Sequence, residues 1–160
     1  MGITGDEHRL DAATISDTVN TAARIESLTK YYKSPLLLSG ETLQQILPAG
    51  KLVSDQDKYS LRNLGEVQLK GKNKLLSIYE CLNGCTEKDF QKKIKSLPLF
   101  NEAMNFYFNQ EFENSIHVFE EILEADPEDF TSALFMENAF RYLKNGVPEN
   151  WTGAEEMLTK

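Results

Sequence analysis

The chain has 160 residues, 41% of them hydrophobic, which is enough for one medium domain or two small ones with a packed core. The formal net charge is −8, and the excess lies in one half: residues 1–85 hold 10 basic and 10 acidic side chains, whereas residues 86–160 hold 7 and 15. The acidic second half excludes nucleic acid and anionic membrane surfaces as its partners, and the uneven charge predicts two units.

The cysteine and histidine pattern does not predict a metal site. Cys81 and Cys85 flank Leu-Asn-Gly with no second ligand pair nearby, and both histidines are distant in sequence. We therefore predict reduced thiols and no metal-binding residue. No run of about 18 apolar residues occurs, and the chain has no secretory start. These features predict a soluble, cytoplasmic chain without a membrane segment.

Residues 1–15 are predicted to form an extended hairpin, with glycines at its turns. Ser16 or Asp17 is a suitable N-cap for a helix that follows and ends near Tyr32. The order of these elements predicts that the first unit begins with strand and continues as helix.

Two stripes of side chains run along this predicted helix. The apolar stripe consists of Ala22, Ile25, Leu28 and Tyr32. The polar stripe lies roughly 130° around the helix, since each residue turns it by ~100°, and consists of Asn20, Arg24, Ser27 and Tyr31. Asn20 and Arg24 thus share a face that the core does not occupy. From spacing alone they are either a phosphate-binding pair or an ordinary solvated face.

Further along the chain, short apolar segments alternate with turn signals. The segment 34–40, Ser-Pro-Leu-Leu-Leu-Ser-Gly, predicts a buried strand, and Glu-Thr-Leu-Gln-Gln-Ile-Leu predicts a short helix. Apolar positions alternate on both sides of Gly71-Lys-Asn73, which predicts a β-hairpin. The first unit is therefore predicted to be α/β, with the partner strands of its sheet preceding residue 1.

The remainder of the chain has helical periodicity. A basic segment, residues 86–97, is predicted to be a helical linker, and two apolar-periodic runs meet at Asn109-Gln110. The second run ends at Asp126-Pro127, and a third extends from Phe130 to Leu143, about one 34-residue period after the first. Residues 98–160 are thus predicted to form an antiparallel helical hairpin and a tail.

The first unit resembles a known enzyme family. The segments GDEHRLDAATISDTVNTAARIESL, LLLSGETL and LGEVQLKGKNKLLSIYEC are similar to the C-terminal half of a class III adenylate/guanylate cyclase catalytic domain. The resemblance covers residues 1 to about 82, and its Val-Asn-x-Ala-x-Arg core is quite specific. It implies an α+β fold in which residues 1–85 form a partial ferredoxin-like α/β sandwich half.

The second unit resembles a tetratricopeptide repeat over residues 96–130. The matching small, aromatic and proline positions are Ala103, Phe106, Ser115, Phe119 and Pro127. Because one and a half repeats rarely bury their faces alone, we expect the helices to lean on the first unit or on a second copy. The ending NGVPENWTG resembles the tail of many bacterial cyclases, which implies that the natural C-terminus is present.

The cyclase resemblance implies roles for three residues. Asn20 matches the amide that orients the ribose, and Arg24 matches the guanidinium that neutralises charge growing on the transferred phosphorus. Lys70 matches the basic residue that reaches the terminal phosphates. Asp17 lies at the family's usual acidic position before the helix, where we expect it to act as a cap.

Two departures from the family pattern limit the expected activity. Ala13 stands at the purine-selecting position and cannot make a hydrogen bond, so ATP and GTP stay equally open. The family's metal-binding aspartates precede the matching segment. The Mg²⁺ or Mn²⁺ of the intact domain is therefore not expected to bind this chain alone. We accordingly predict no activity for the isolated chain and weak or absent binding of nucleoside triphosphate.

The resemblance also implies a partner, because class III sites form across a dimer in which the subunits contribute different groups. We expect a homodimer, or pairing with an intact cyclase domain to which the chain supplies Asn20, Arg24 and Lys70. Two alternatives to a cyclase fragment remain. One is a non-catalytic interaction module whose helical repeat binds a peptide, and the other is a regulatory partner of an intact cyclase.

Overall fold

The structure is a computed structural model that describes residues 6–46, 59–69, 75–149, 151–153 and 155–157, with side chains described in 18–46, 59–68, 75–149 and 151–153. The elements in chain order are helix α1 (Asp6–Tyr32), strand β1 (Leu37–Ser39), helix α2 (Gly40–Ile46), strands β2 (Leu61–Leu69) and β3 (Leu75–Cys81), a 3₁₀ turn (Leu82–Gly84), helices α3 (Glu87–Phe108), α4 (Phe112–Ala125) and α5 (Phe130–Asn145), and strand β4 (Glu155–Met157). The predicted α+β class is confirmed. Within the described ranges, no helix has the length and apolar character that crossing a membrane requires.

The prediction for the N-terminal segment is wrong. Residues 6–15 are helical, and α1 runs without interruption from Asp6 to Tyr32. Asp17 therefore lies inside the helix and does not cap it. The physical reason is that Asp6 and Glu7 complement the positive end of the helix dipole, and the following leucine and alanines favour helix. The part of the predicted hairpin within residues 1–5 lies outside the described residues.

The four strands form one sheet in the order β1-β3-β2-β4. The predicted hairpin is confirmed, since β2 and β3 pair antiparallel with Arg62 opposite Glu80, while its turn at Gly71-Lys-Asn73 lies outside the described residues. A bulge between Asn63 and Glu66 shifts the register. Strand β4 adds to β2 in parallel. The predicted strand and short helix after α1 are β1 and α2.

The helical half follows the predicted breaks. Helix α3 begins after Thr86, whose side chain accepts a hydrogen bond from the Asp89 amide, and continues through the segment 86–97 to Phe108. Asn109 and Gln110 form the turn before α4, and α5 begins at Phe130. These breaks are confirmed, whereas the domain boundaries and the tetratricopeptide assignment stay predictions.

The core is continuous between the sheet and the helical half. Leu64, Val67 and Ile78 of the sheet belong to the same buried cluster as the aromatic residues of α3, α4 and α5. The ring of Tyr32 stacks on Phe135 with centroids 6.2 Å apart. The helices therefore lean on the first unit, which is one of the two arrangements that the sequence predicted.

A buried arginine lies at the junction of the two halves. Arg62 on β2 is fully buried, and its Nη1 and Nη2 atoms donate to the two carboxylate oxygens of Asp129 at 3.0 and 2.8 Å. Nη2 also donates to Ser96 Oγ at 2.9 Å, and the guanidinium lies 4.4 Å from the centre of the Phe100 ring. One side chain thus joins β2 to both α3 and α5 through charge-assisted hydrogen bonds.

Two further charges complete this cluster. Glu80, opposite Arg62 on β3, is also fully buried and lies 3.6 Å from Arg62 Nη1. Lys93 of α3 donates to the other Glu80 oxygen at 2.5 Å. The Arg62–Glu80–Lys93–Asp129 cluster therefore contains two cations and two anions. This balance limits the cost of burying each charge.

Replacing Asp129 with alanine is expected to destabilise the whole chain. Arg62 would keep its buried charge but lose its bidentate partner, and α5 would lose an N-cap whose side chain accepts from the Ser132 amide and hydroxyl. We expect the free energy of unfolding to fall by about 3–5 kcal/mol, measured by urea denaturation followed by circular dichroism.

The neighbouring Glu128 provides the matched control. Its side chain is 79% exposed and lies 3.4 Å from Lys92. Glu128→Ala should therefore cost only about 0–1 kcal/mol. Equal losses for the two variants would contradict the role assigned to the buried cluster.

The same carboxylate predicts a pH dependence. Burial alone raises the pKa of Asp129, but the attraction of Arg62 and its hydrogen bonds outweigh burial, so the pKa lies below its ordinary value of 3.8. A lowered pKa in the folded state gives stability that is complete above the unfolded-state pKa and is lost as pH falls through the folded-state pKa. Below about pH 4, the wild-type chain should lose unfolding free energy faster than Asp129→Asn. Urea titrations between about pH 6 and 2.5 test this, and a constant difference between the two chains would contradict it.

Candidate functional site

The last turns of α1 are anchored on the core. Leu28 and Tyr32 are buried, and the Tyr32 carbonyl accepts a hydrogen bond from Thr131 of α5 at 3.3 Å. Ile25 is half-buried, whereas Ala22 is exposed. The predicted apolar stripe therefore contacts the core only through its C-terminal part. The preceding turns, which carry the candidate site residues, lie at the margin of the core.

Asn20 and Arg24 occupy one face of α1 at this margin. They are four residues apart, which places them about 6 Å apart along the helix axis. Asn20 is exposed and Arg24 is half-buried. The predicted polar stripe is thus present along this part of α1, since Ser27 and Tyr31 are exposed as well.

The Arg24 guanidinium has an unusual environment. Its Nη1 atom is shielded from solvent and has no hydrogen-bond partner among the described residues. A buried donor without a partner costs about 1–3 kcal/mol, so most buried polar groups are paired. Because guanidinium binds carboxylate and phosphate oxygens in a planar fork, this donor is suited to an anionic ligand.

The third predicted site residue cannot be placed beside the other two. Lys70 directly follows β2, whose last residue is Leu69, but it lies outside the described residues. The structure therefore brings together Asn20 and Arg24, and the association of Lys70 with them stays a prediction. Ala13 lies within α1, and its side chain is likewise outside the described part.

The described residues do not fit a magnesium or manganese site. No group of three or more histidine, cysteine or acidic side chains in the described ranges could hold a metal ion. Burial raises the pKa of both Cys81 and Cys85, which keeps these thiols protonated at neutral pH. Metal chemistry is therefore not assigned to any residue described in this chain.

A cavity of about 490 Å³ lies away from the polar face of α1. It is bordered by the residues after α1, the 3₁₀ turn, the start of α3 and the acidic turn before α5; its charged lining residues are Lys33, Asp89, Lys93, Asp126 and Glu128. Neither Asn20 nor Arg24 lines it. Because its charges are of both signs and several are already paired, the cavity does not resemble a phosphate pocket.

The sequence analysis missed the buried charge cluster that fixes the sheet against the helices. Two signals for it were present: Asp129 immediately precedes a helix and has a serine three residues later, and Arg62 lies between apolar residues of a strand. Neither signal reveals that the two side chains meet across 67 positions of sequence.

Comparison with known proteins links the chain to cyclases. It is 29% identical over 144 residues to "Adenylate cyclase, terminal-differentiation specific" of Dictyostelium discoideum, which covers 90% of this chain and 6% of that protein. It is 37% identical over 81 residues to "Adenylate cyclase" of Anabaena cylindrica, covering 50% of this chain and 15% of the relative. It is 34% identical over 80 residues to "Adenylate cyclase 1" of Rhizobium meliloti strain 1021, covering 50% and 11%. No family model and no solved structure matches.

The Dictyostelium match extends beyond a single half of the chain. Since it covers 144 of 160 residues, it includes residues 17–144 and hence Asn20, Arg24 and Lys70 as well as the helical half. The chain spans 6% to 15% of the length of these three relatives. Over half to nine-tenths of its own length, it is therefore related to proteins named adenylate cyclase.

Proposed function

We propose that this chain carries the C-terminal half of a class III nucleotide cyclase catalytic domain. In this role it supplies Asn20, Arg24 and Lys70 to the conversion of ATP or GTP into a 3′,5′-cyclic nucleotide and pyrophosphate. The observation that carries the proposal is the shielded Nη1 of Arg24, which has no partner among the described residues and lies one helical turn from Asn20 in a segment similar to adenylate cyclases.

The assigned roles follow from the chemistry of the reaction. The ribose 3′-oxygen attacks the α-phosphorus, the bond to the β-phosphate oxygen breaks, and negative charge grows on the oxygens of the transferred group. The fork of Arg24 would stabilise that charge, and the exposed amide of Asn20 would hold the ribose in line. Lys70 would bind the departing phosphates as a point charge.

The proposal requires a second domain. The described residues provide no metal ligands, and a cyclisation site needs groups that hold the triphosphate and activate the hydroxyl. We infer that a partner domain contributes these groups across a dimer interface. In such a dimer the chain acts as the half that stabilises the transition state.

Complementation tests this role. The chain is mixed with an intact adenylate cyclase that has alanine in place of the arginine matching Arg24, with Mg²⁺ or Mn²⁺ and ATP or GTP. We expect neither protein alone to form cyclic nucleotide above the buffer rate, whereas the mixture regains activity. Loss of one charge-stabilising donor costs about 10²–10³ in rate, so Arg24→Ala in this chain should abolish the rescue.

Lys30→Ala is the matched control, because Lys30 lies on the same helix and, among the described residues, pairs with exposed Glu26 at 3.5 Å. That variant should rescue as well as the wild type. The proposal fails if no mixture is active, or if Arg24→Ala and Lys30→Ala rescue equally. Activity of the isolated chain would contradict the predicted need for a partner.

Arg24→Met should separate function from stability. Since Nη1 has no partner among the described residues, its removal relieves an unsatisfied donor and keeps the apolar stem. We expect the free energy of unfolding to stay within about 1 kcal/mol of wild type or to rise, while the rescue is lost.

The paired arginine gives the comparison for this measurement. Arg62→Met leaves Asp129 and Glu80 without their shared buried cation, and should cost about 3–5 kcal/mol in the same urea assay. A similar loss for Arg24→Met would show that Arg24 is a structural residue.

A second candidate function is a protein-interaction module. The observation that favours it is the pair of exposed apolar side chains on one face of α5, Phe140 and Leu143, which are 47% and 46% exposed. This candidate predicts that no complementing mixture forms cyclic nucleotide, so the same assay distinguishes it from the cyclase role.

A further inference from the structure

The segment that follows α5 turns back across the molecule. Helix α5 ends at Asn145, and its C-cap Gly146 has a positive φ of 76° and nothing within 4 Å of the position that a Cβ would take. Val147 then packs against the core, and the Trp151 amide donates to the Pro148 carbonyl at 3.0 Å, which closes a turn. Residues 147–157, called here the C-terminal strap, reach from the helical half to the sheet.

Trp151 enters an aromatic seat formed by all three helices of the helical half. Its ring centroid lies 5.7 Å from Tyr107 of α3, 5.7 Å from Phe112 of α4 and 5.4 Å from Tyr142 of α5. The indole Nε1 is buried and has no hydrogen-bond partner among the described residues. Within the described part of the chain, the seat therefore holds the indole through ring contacts.

Two residues later, the strap passes Phe108 at close range. A Cβ on Gly153 would lie 2.7 Å from Phe108 Cδ1, and Gly153 has φ +84°. A Cβ on Gly65 of β2, which has φ +85°, would lie 2.8 Å from Phe108 Cζ. The Phe108 ring thus lies against both glycines, and a side chain at position 153 of the strap would be strained by its φ and by contact with this ring.

The strap ends as a strand on the sheet edge. In β4, Glu155, Glu156 and Met157 pair in parallel with Val67, Gln68 and Leu69 of β2. Edge strands expose unpaired backbone groups that accept an added strand. The seat, the glycine passage and this edge form one continuous surface along the strap.

We propose that this surface is a strand-binding site specific for a Trp-x-Gly segment, filled in cis by the strap and open to the same segment of a second copy in trans. Three observations support exchange. Among the described residues, the indole Nε1 makes no hydrogen bond, three strap residues pair with β2, and a Cβ added at Gly146 would meet nothing within 4 Å. This strand-addition mode takes affinity from main-chain hydrogen bonds and specificity from side-chain pockets. It does not depend on the cyclase assignment.

The single tryptophan of the sequence provides the probe. The full-length Trp151→Ala chain contains no tryptophan, so in a titration with a peptide of residues 146–157 all tryptophan fluorescence comes from the peptide. As the peptide binds, we expect the emission maximum of this tryptophan to shift to shorter wavelength until the binding site is saturated. Calorimetry with the wild-type chain should give an apparent affinity at least about tenfold weaker than that of the Trp151→Ala chain, because the strap of the wild-type chain competes for the site.

Two variant peptides test the specificity. Gly153→Ala should abolish binding, since the added methyl meets the Phe108 ring. Thr152→Ala, which changes an exposed neighbour, should bind as the unmodified peptide does. In the full-length chain, Gly153→Ala should shift the Trp151 emission to longer wavelength while helical circular dichroism is retained.

Three binding results would overturn the proposal. They are equal binding of the Gly153→Ala and Thr152→Ala peptides, equal affinity of the wild-type and Trp151→Ala chains, and an unchanged emission on mixing. Loss of the cooperative unfolding transition in Trp151→Ala would also overturn it, because the strap would then be an inseparable part of the core.

Discussion

The buried ion cluster around Arg62 is the interaction on which the rest of the structure depends. It ties the β2–β3 hairpin to α3 and α5, and every charged member has an opposite charge within 3.6 Å. Because an isolated buried charge is strongly unfavourable, the hairpin and the helices keep this relative placement or lose the pairing. The same junction places Phe135 against Tyr32, which fixes the end of α1.

The two arginines show how the same side chain can serve structure or binding. Arg62 is fully buried with its Nη atoms paired, as expected of a group that stabilises a fold. Arg24 lies on a half-exposed helix face, and its shielded Nη1 lacks a partner among the described residues. The buried Nε of Arg62 lacks a hydrogen-bond partner there as well, but Arg62 is fully enclosed, whereas an anionic ligand can approach the half-exposed Arg24. This contrast, more than the spacing of Asn20 and Arg24, favours an anionic ligand over an ordinary solvated face.

The helical half is integrated with the sheet. Helix α3 is continuous through the segment 86–97, and its Phe100 belongs to the core that Leu64 and Ile78 complete from the sheet. The C-terminal strap adds a second connection at the opposite end of α3, where Phe108 lies against a glycine of β2 and a glycine of the strap. The sheet and the strap thereby cover part of the apolar surface of the helices, while Phe140 and Leu143 of α5 stay exposed.

The sequence by itself determined most local elements: the end of α1, β1, α2, the hairpin, the helical breaks and the relation to cyclases all follow from periodicity, turn residues and motif. It failed for residues 6–15, where acidic residues and good helix formers outweighed the expected extended structure. Only the tertiary structure decided that Arg62 meets Asp129, that Arg24 Nη1 lacks a partner among the described residues and that Trp151 fills the aromatic seat. These facts depend on contacts between residues distant in sequence, and local patterns carry no information about which distant side chains meet.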